Sequence, residues 1–216
     1  MLGLKVSTDA GWAAAAMRDA DAVLVDHAHC ELKAASNALS LVARHAGRDG
    51  DAALSQALTE LAREEIEHFQ RVLAVLAARG VAVGPPPVDA YAAALRRAAS
   101  ELPREPGITV LVDRLLVGAL IEARSCERFK LLVDAFAGGS AGGSAGGRES
   151  DLVALYKELF AAEARHYRTF VDLANEAAGG DVARVAARLA RLADAEGAIV
   201  ARLARVSAAP RATMHG

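Results

Sequence analysis

The sequence predicts an all-α protein built on four long helices packed as a bundle, with one further helix at the C-terminal end. Three observations predict it. Hydrophobic residues make up 53% of the 216-residue chain and aromatic residues only 4%, a balance rich in alanine and leucine that suits closely packed helices. Apolar residues recur at steps of three and four along most of the chain, while the alternation of half-buried strands is nearly absent. Glycine and proline clusters fall between these periodic stretches and mark their ends.

The elements follow in order. A first long helix is predicted from Ala20 to His45, stopping near Gly47, and a second from Asp51 to Arg79, ending at Gly80. GPPPVD (84–89) breaks the chain, and a shorter helix over about 88–101 ends before Pro103 and Pro106, because proline cannot continue a helix interior. A third long helix covers about Ile108–Phe136 and a fourth about Ser150–Ala178. After Gly179 and Gly180 a C-terminal helix spans about 181–206, and the tail from Ala208 to Gly216 is read as loose. AGGSAGGSAGG (137–147) is of low complexity and is read as a flexible insert lengthening the turn between the third and fourth helices. The whole chain, 1–216, is read as one domain with its core helices at about 20–178. Two helical hairpins joined by one long crossover between the second and third long helices are the connectivity of the ferritin-like four-helix bundle.

Bulk properties narrow the function. There is no charged-then-apolar leader and no apolar run long enough to span a bilayer, so a cytoplasmic protein without membrane association is expected. Two cysteines, Cys30 and Cys126, cannot build a disulfide framework or a four-cysteine iron–sulfur cluster. A net charge of −2 does not by itself mark a nucleic-acid binder.

The informative residues lie on the apolar stripes. In the first long helix Leu24, Ala28, Ala35, Ala38 and Val42 form a stripe that passes through Glu31. In the second, Leu54, Leu58, Leu61, Val72 and Val75 flank Glu65 and His68. The third places Glu122 among Ile108, Leu111, Leu115, Phe129 and Leu132, and the fourth places Glu163 and His166 among Leu152, Tyr156, Leu159, Phe170 and Leu173. The inward faces therefore read Glu, Glu-x-x-His, Glu, Glu-x-x-His. A carboxylate in an apolar interior costs several kcal/mol (about 3–5 when stranded), so a compensating charge is required. Two divalent cations would bring the four positive charges that four glutamates neutralise, with an imidazole completing each shell. An oxygen-rich shell with one imidazole per metal suits iron or manganese. Glu127 is a competitor for the third helix, but Lys130 and Asp134 mark its face as more polar. Glu31 and Glu65 lie 34 positions apart; Glu122 and Glu163 lie 41 apart, or 28 with residues 138–150 set aside as insert, whereas Glu127 would leave 23, a short path to climb a helix and return to the same depth. His27, Cys126 and Arg165 stand one turn or less from these glutamates and are candidates for orienting them, or else an ordinary core histidine, buried thiol and ion-pair partner.

DHAHCELKAASNAL (26–39), REEIEHF (63–69), GALIEARSCERF (118–129) and EARHY (163–167) together resemble the bacterial tRNA hydroxylases that act on 2-methylthio-isopentenyladenosine. The likeness runs from about residue 20 to the end of the fourth long helix, and the glycine-rich insert departs from that family's shorter turn. The resemblance implies a non-haem diiron monooxygenase that hydroxylates the isopentenyl side chain of the adenosine next to the anticodon. It implies two iron ions held by Glu31, Glu65, His68, Glu122, Glu163 and His166, dioxygen as co-substrate and an external electron donor, since the chain has no GxGxxG fingerprint of its own. A tRNA anticodon loop is the implied partner, and Arg184, Arg188, Arg191, Arg202 and Arg205, which recur on one face of the C-terminal helix, are candidate phosphate contacts or a solvated face. Competing readings are iron storage or peroxide detoxification in a ferritin-like shell, a manganese catalase, and a metal-free helical interaction module. A rubrerythrin would need a C-x-x-C pair that this chain lacks.

Overall fold

The computed structural model describes residues 2–9, 11–45, 51–86, 88–139, 146–206 and 213–214. Among them every regular element is an α-helix: α1 Gly11–Arg18, α2 Ala20–His45, α3 Asp51–Ala78, α4 Ala90–Glu101, α5 Val110–Gly139, α6 Gly146–Ala177 and α7 Val182–Val206. The chain divides into two compact units, one made of Ala20–Val88 and the other of Met1–Asp19 with Asp89–Gly216.

The first unit is the hairpin of α2 and α3, which pack against each other. Their apolar faces meet through Leu24, Ala28, Ala35, Ala38 and Leu41 on α2 and Leu54, Leu58, Leu61, Val72 and Leu76 on α3, all buried. An ion pair closes the open end, where Arg79 Nε donates to Asp21 Oδ1 at 2.5 Å. The end of α3 is fixed by its sequence. Gly80 takes a φ of +69°, and the Gly80 and Val81 amides donate back to Ala77 O and Leu76 O at 3.0 and 2.9 Å. This left-handed turn satisfies the last carbonyls of the helix, and glycine adopts it without a Cβ penalty.

The second unit is organised around α5 and α6, with α4 and α7 packed on each other and on α5, and α1 also on α5. α5 and α6 come together closely at Gly118, where a Cβ would stand 3.0 Å from the Phe170 ring. Farther along, Phe129 and Phe136 flank Tyr156 at centroid distances of 5.3 and 6.4 Å. Polar caps start the helices: the Asp89 carboxylate accepts from Ala92 N at 2.9 Å, Thr109 Oγ1 from Val112 N at 3.2 Å, and Asp181 Oδ1 from Arg184 N at 3.0 Å.

The outer face of α5 carries a buried ionic cluster. Arg124 and Glu196 are both fully buried and meet side-on, with Nε to Oε1 at 2.9 Å and Nη2 to Oε2 at 2.8 Å. The Tyr91 hydroxyl donates to the same carboxylate at 2.9 Å. Arg124 also donates to Val6 O at 2.9 Å and to Thr8 Oγ1 at 3.1 Å. The guanidinium thus ties the N-terminal segment and α7 to α5, and Glu196 brings in α4 through Tyr91.

Several boundaries differ from the sequence expectation. α1 was not anticipated. Its eight residues, GWAAAAMR, are too few and too uniform to show a periodic stripe. α5 and α6 run into the glycine-rich insert from both sides, so residues 137–139 and 146–147 are helical where a loop was expected; residues 140–145 of that insert lie outside the described residues. In the tail, read as loose from Ala208, Met214 is buried and Thr213 O accepts from Trp12 Nε1 at 3.1 Å and Arg128 Nη1 at 2.9 Å. The rest of the tail, 207–212 and 215–216, lies outside the described residues.

Candidate metal centre

Each unit brings three of the six expected ligands together in its interior. In the α2–α3 hairpin, α2 supplies Glu31 and α3 supplies Glu65 and His68, three residues apart and therefore on one helix face. All three are buried, at 4, 0 and 6% exposure. They offer ligand atoms that all lie within 4.8 Å of one another. His68 Nδ1 stands 3.3 Å from Glu65 Oε2 and 3.7 Å from Glu31 Oε2. In the second unit, α5 supplies Glu122 and α6 supplies Glu163 and His166, again three apart, at 4, 2 and 3% exposure. Their ligand atoms also lie within 4.8 Å of one another.

The electrostatics of the first triad are set by imidazoles. His27, one turn before Glu31, pairs its Nε2 with Glu31 Oε1 at 2.5 Å. Burial alone would raise the Glu31 pKa, but the charge and hydrogen bond of His27, with further bonds from His68 and Glu65, outweigh it and hold the carboxyl well below the usual range. Burial likewise opposes a charged His68, yet its bonds to Glu31 and Glu65 prevail and push it up to about 10. Beside the second triad, burial and then the charge of Glu163 push the Cys126 thiol up to about 12, and its Sγ lies 3.7 Å from Phe160 O. Cys126 is thus a buried neutral thiol rather than a thiolate ligand.

The donor sets fit a metal. Two carboxylates and one imidazole per triad form a hard, acid-rich shell of the kind that takes iron or manganese. Ligand atoms this close can share a single ion at bond lengths of roughly 2.0–2.2 Å. Glu127, the competitor on α5, is engaged elsewhere: its carboxylate accepts from Thr8 N and Oγ1, at 3.2 and 2.6 Å, and pairs with Arg124.

The arginine stripe on α7 needs correction at its centre. Arg188 is 1% exposed and lies against Asp113, with Nε and Nη2 donating at 2.8 and 2.9 Å, and against Glu105 and the Pro103 and Ala99 carbonyls. A side chain so enclosed is a structural strut, not a phosphate contact. Periodicity placed it on the stripe, but nothing in the sequence of α7 shows that the crossover packs over it. Arg184, Arg191 and Arg202 are exposed, Arg184 pairing with Asp181 and Arg191 with Glu105. The side chain of Arg205 lies outside the described residues. Arg124 and Glu196, the best-buried ion pair of the second unit, were not singled out from sequence, although an arginine two residues from Glu122 and a glutamate amid the apolar face of α7 were both visible there.

Comparison with known proteins gives a consistent picture. A family model described as "MiaE: tRNA-(MS[2]IO[6]A)-hydroxylase (MiaE)" matches residues 2–209. A Pseudomonas putida protein named tRNA 2-(methylsulfanyl)-N(6)-isopentenyladenosine(37) hydroxylase is 40% identical over 190 residues, covering 88% of this chain and 83% of that protein. A Salmonella typhimurium protein of the same name is 29% identical over 204 residues, covering 74% and 70%. Among solved structures, a Synechococcus protein with aldehyde deformylating oxygenase activity superposes with a TM-score of 0.79 at 35% identity, covering 99% of this chain and 95% of that one. The fold class is all-α and ferritin-like, as the hairpin–crossover–hairpin order predicted. No helix among the described residues is long and apolar enough to cross a membrane.

Proposed function

The chain belongs to the MiaE family of tRNA hydroxylases, and from that premise we propose that it hydroxylates the isopentenyl side chain of 2-methylthio-isopentenyladenosine next to the anticodon of tRNA, using dioxygen and a non-haem diiron centre. It is an enzyme of a monooxygenase family. The observation that carries the finer reading is the repeated triad: Glu31, Glu65 and His68 buried in one unit, and Glu122, Glu163 and His166 buried in the other. We read the two triads as the halves of one dinuclear centre in a single ferritin-like domain over 1–216. Four carboxylates would then balance two divalent ions, and each Glu-x-x-His would serve one ion while its glutamate reaches toward the second.

Two iron ions held there would supply dioxygen activation and insertion of oxygen into a C–H bond, with electrons from an external donor. The chain's own residues do the rest. His27 keeps Glu31 ionised and aimed, so that the carboxylate is ready to bind a cation without first losing a proton. Leu58, Leu61 and Val72 on α3, and Leu159, Phe170 and Cys126 around the second triad, are buried and exclude water, which protects an oxidising centre from side reactions. The adenosine would be presented from an unpaired loop, where a modified base can leave the stack. On α7 the exposed Arg202 is available for backbone phosphates, while Arg184 and Arg191 reach solvent beside their partners Asp181 and Glu105. The reading places the enzyme with the cellular tRNA pool, in the cytoplasm.

The test is turnover on tRNA carrying 2-methylthio-isopentenyladenosine, with iron-loaded protein, oxygen and a chemical reductant. The expected product nucleoside gains one oxygen atom. Since the Synechococcus protein with aldehyde deformylating oxygenase activity shares the fold, an aldehyde is the control substrate. Product from the aldehyde and none from the tRNA would overturn the tRNA reading and keep the oxygenase.

A further inference from the structure

A cavity of about 230 Å³ opens in the second unit between α4, the crossover that follows it, the start of α5, and α7. Its wall is apolar where Ile108, Val110 and Val117 line it, and Val110 is 57% exposed there. Four arginines, Arg96, Arg104, Arg114 and Arg188, stand around it against a single lining carboxylate, Asp113. That carboxylate is taken by Arg188 through two hydrogen bonds at 2.8 and 2.9 Å, and nearby Glu105 by Arg188 and Arg191. The acids of this corner are therefore matched by the buried strut and its neighbour, and Arg96 and Arg104 add positive charge at the rim. Arg96 and Arg104 are exposed and form no ion pair with any described residue.

The place of the cavity on α5 separates it from the metal ligands. Asp113 and Val117 lie roughly 180° and 140° around the helix from Glu122, and Asp113 is some 13 Å nearer the helix start, at about 1.5 Å per residue. A volume of 230 Å³ is below the roughly 300–1,000 Å³ that encloses a whole small-molecule ligand. It suits one unit of a polymer whose remainder lies outside. Cations that can fork onto phosphate oxygens, beside an apolar wall that can cover a sugar, match the repeating unit of a nucleic-acid backbone.

We propose that this cavity anchors the RNA substrate by taking one ribose-phosphate unit, with Arg96 and Arg104 on the phosphate and its neighbour, a few nucleotides from the adenosine that reacts. The inference rests on the tRNA-hydroxylase reading for the identity of its ligand. It replaces the α7 stripe with the α4–α5 corner as the main phosphate contact.

The experiment compares the iron-loaded full chain with its Arg96→Ala/Arg104→Ala double variant. Binding of a prenylated anticodon stem-loop is followed by fluorescence anisotropy across a salt series. A second double variant, Lys130→Ala/Lys157→Ala, removes two exposed cations away from the cavity. Both arginines are on the surface, so helicity and iron content should match wild type and serve as the folding check. The expected result is a loss of roughly tenfold or more in affinity at 0.1 M salt for the arginine variant, and a logarithmic salt slope smaller by about 2, one for each phosphate contact removed. The lysine variant should bind as wild type does. Equal binding by wild type and the arginine variant would overturn the proposal, as would a wild-type protein that does not bind the stem-loop. An arginine variant that loses only its affinity for inorganic phosphate or AMP and keeps the stem-loop would also overturn it, because the cavity would then serve a free anion. Hydroxylation is read separately. Arginine-dependent RNA binding with no hydroxylated product from wild type would leave the anchoring site standing and remove the proposed reaction.

Discussion

Two sets of buried carboxylates in this protein meet the same physical demand in different ways. Glu196 is fully buried, and its counter-charge comes from the chain itself: Arg124 lies against both oxygens and Tyr91 donates a third hydrogen bond. Glu122 and Glu163 are buried nearly as deeply in the same unit, but they gather with each other and with an imidazole, His166, which makes an acid-rich group. The first arrangement is closed and structural, tying α4, α5 and α7 together. The second has the composition of a cation site. Depth of burial alone does not distinguish a ligand from a strut. The chemistry of the nearest neighbours does.

The widest separation between the two arrangements is expected from removing a carboxylate. Glu163→Ala or Glu65→Ala should reduce turnover to background and lower bound iron, while far-UV circular dichroism still reports a helical protein. A variant with full iron and full turnover would show that the triads are struts like Glu196. Glu196→Ala should have the opposite profile. It takes the fully buried carboxylate from Arg124 and leaves Glu127 as its acidic partner, so a loss at or below the roughly 3–5 kcal/mol of a broken buried pair is expected in denaturant unfolding, with iron per folded chain unchanged. If that variant loses its iron but keeps its stability, the division of labour is wrong.

His27→Ala tests a smaller effect, the support of a ligand by a neighbour. Glu31 loses its 2.5 Å partner, and metal affinity should fall about 10- to 100-fold, in line with other groups that orient ligands; competition with a chelator measures it. In the metal-free protein, His68 titrates near 10 against an unfolded value near 6.5. A raised folded pKa gives stability that is fully present below about 6.5 and is lost as pH climbs through 10. Thermal unfolding at stepped pH should therefore show metal-free protein weakening across that window, and His68→Gln should flatten the slope. The smallest effect concerns Cys126, whose thiol stays protonated up to about 12. An alkylating reagent at pH 8 should leave it unmodified in the native protein, and rapid modification would mean that the interior beside Glu163 is open.

Much of this was legible in the sequence because long helices advertise themselves. The periodic stripes placed α2 at about Ala20–His45, where the structure has it, and α3, α6 and α7 to within a few residues. The six candidate ligands stood out because each interrupts an apolar stripe, which is a local signal. What stayed hidden depends on packing over an outer face. Arg124 lies on the side of α5 opposite its main stripe and becomes interior only because α7 and the N-terminal segment cover it. Arg188 looked like part of a solvated row until the crossover closed over it. Hydrophobic periodicity tells which face of a helix is buried first; it is silent on which second face receives a later element, and the cavity arginines, drawn from α4, a loop, α5 and α7, share no periodicity at all.

The central claim, that the six buried residues hold a pair of metal ions, is tested most directly by counting iron per chain in protein reconstituted under anaerobic conditions, alongside Glu65→Ala and Glu163→Ala, one variant from each triad. The account predicts about two irons per chain in wild type and a large loss in both variants. Iron-free wild-type protein, or variants that still hold two ions, would contradict it.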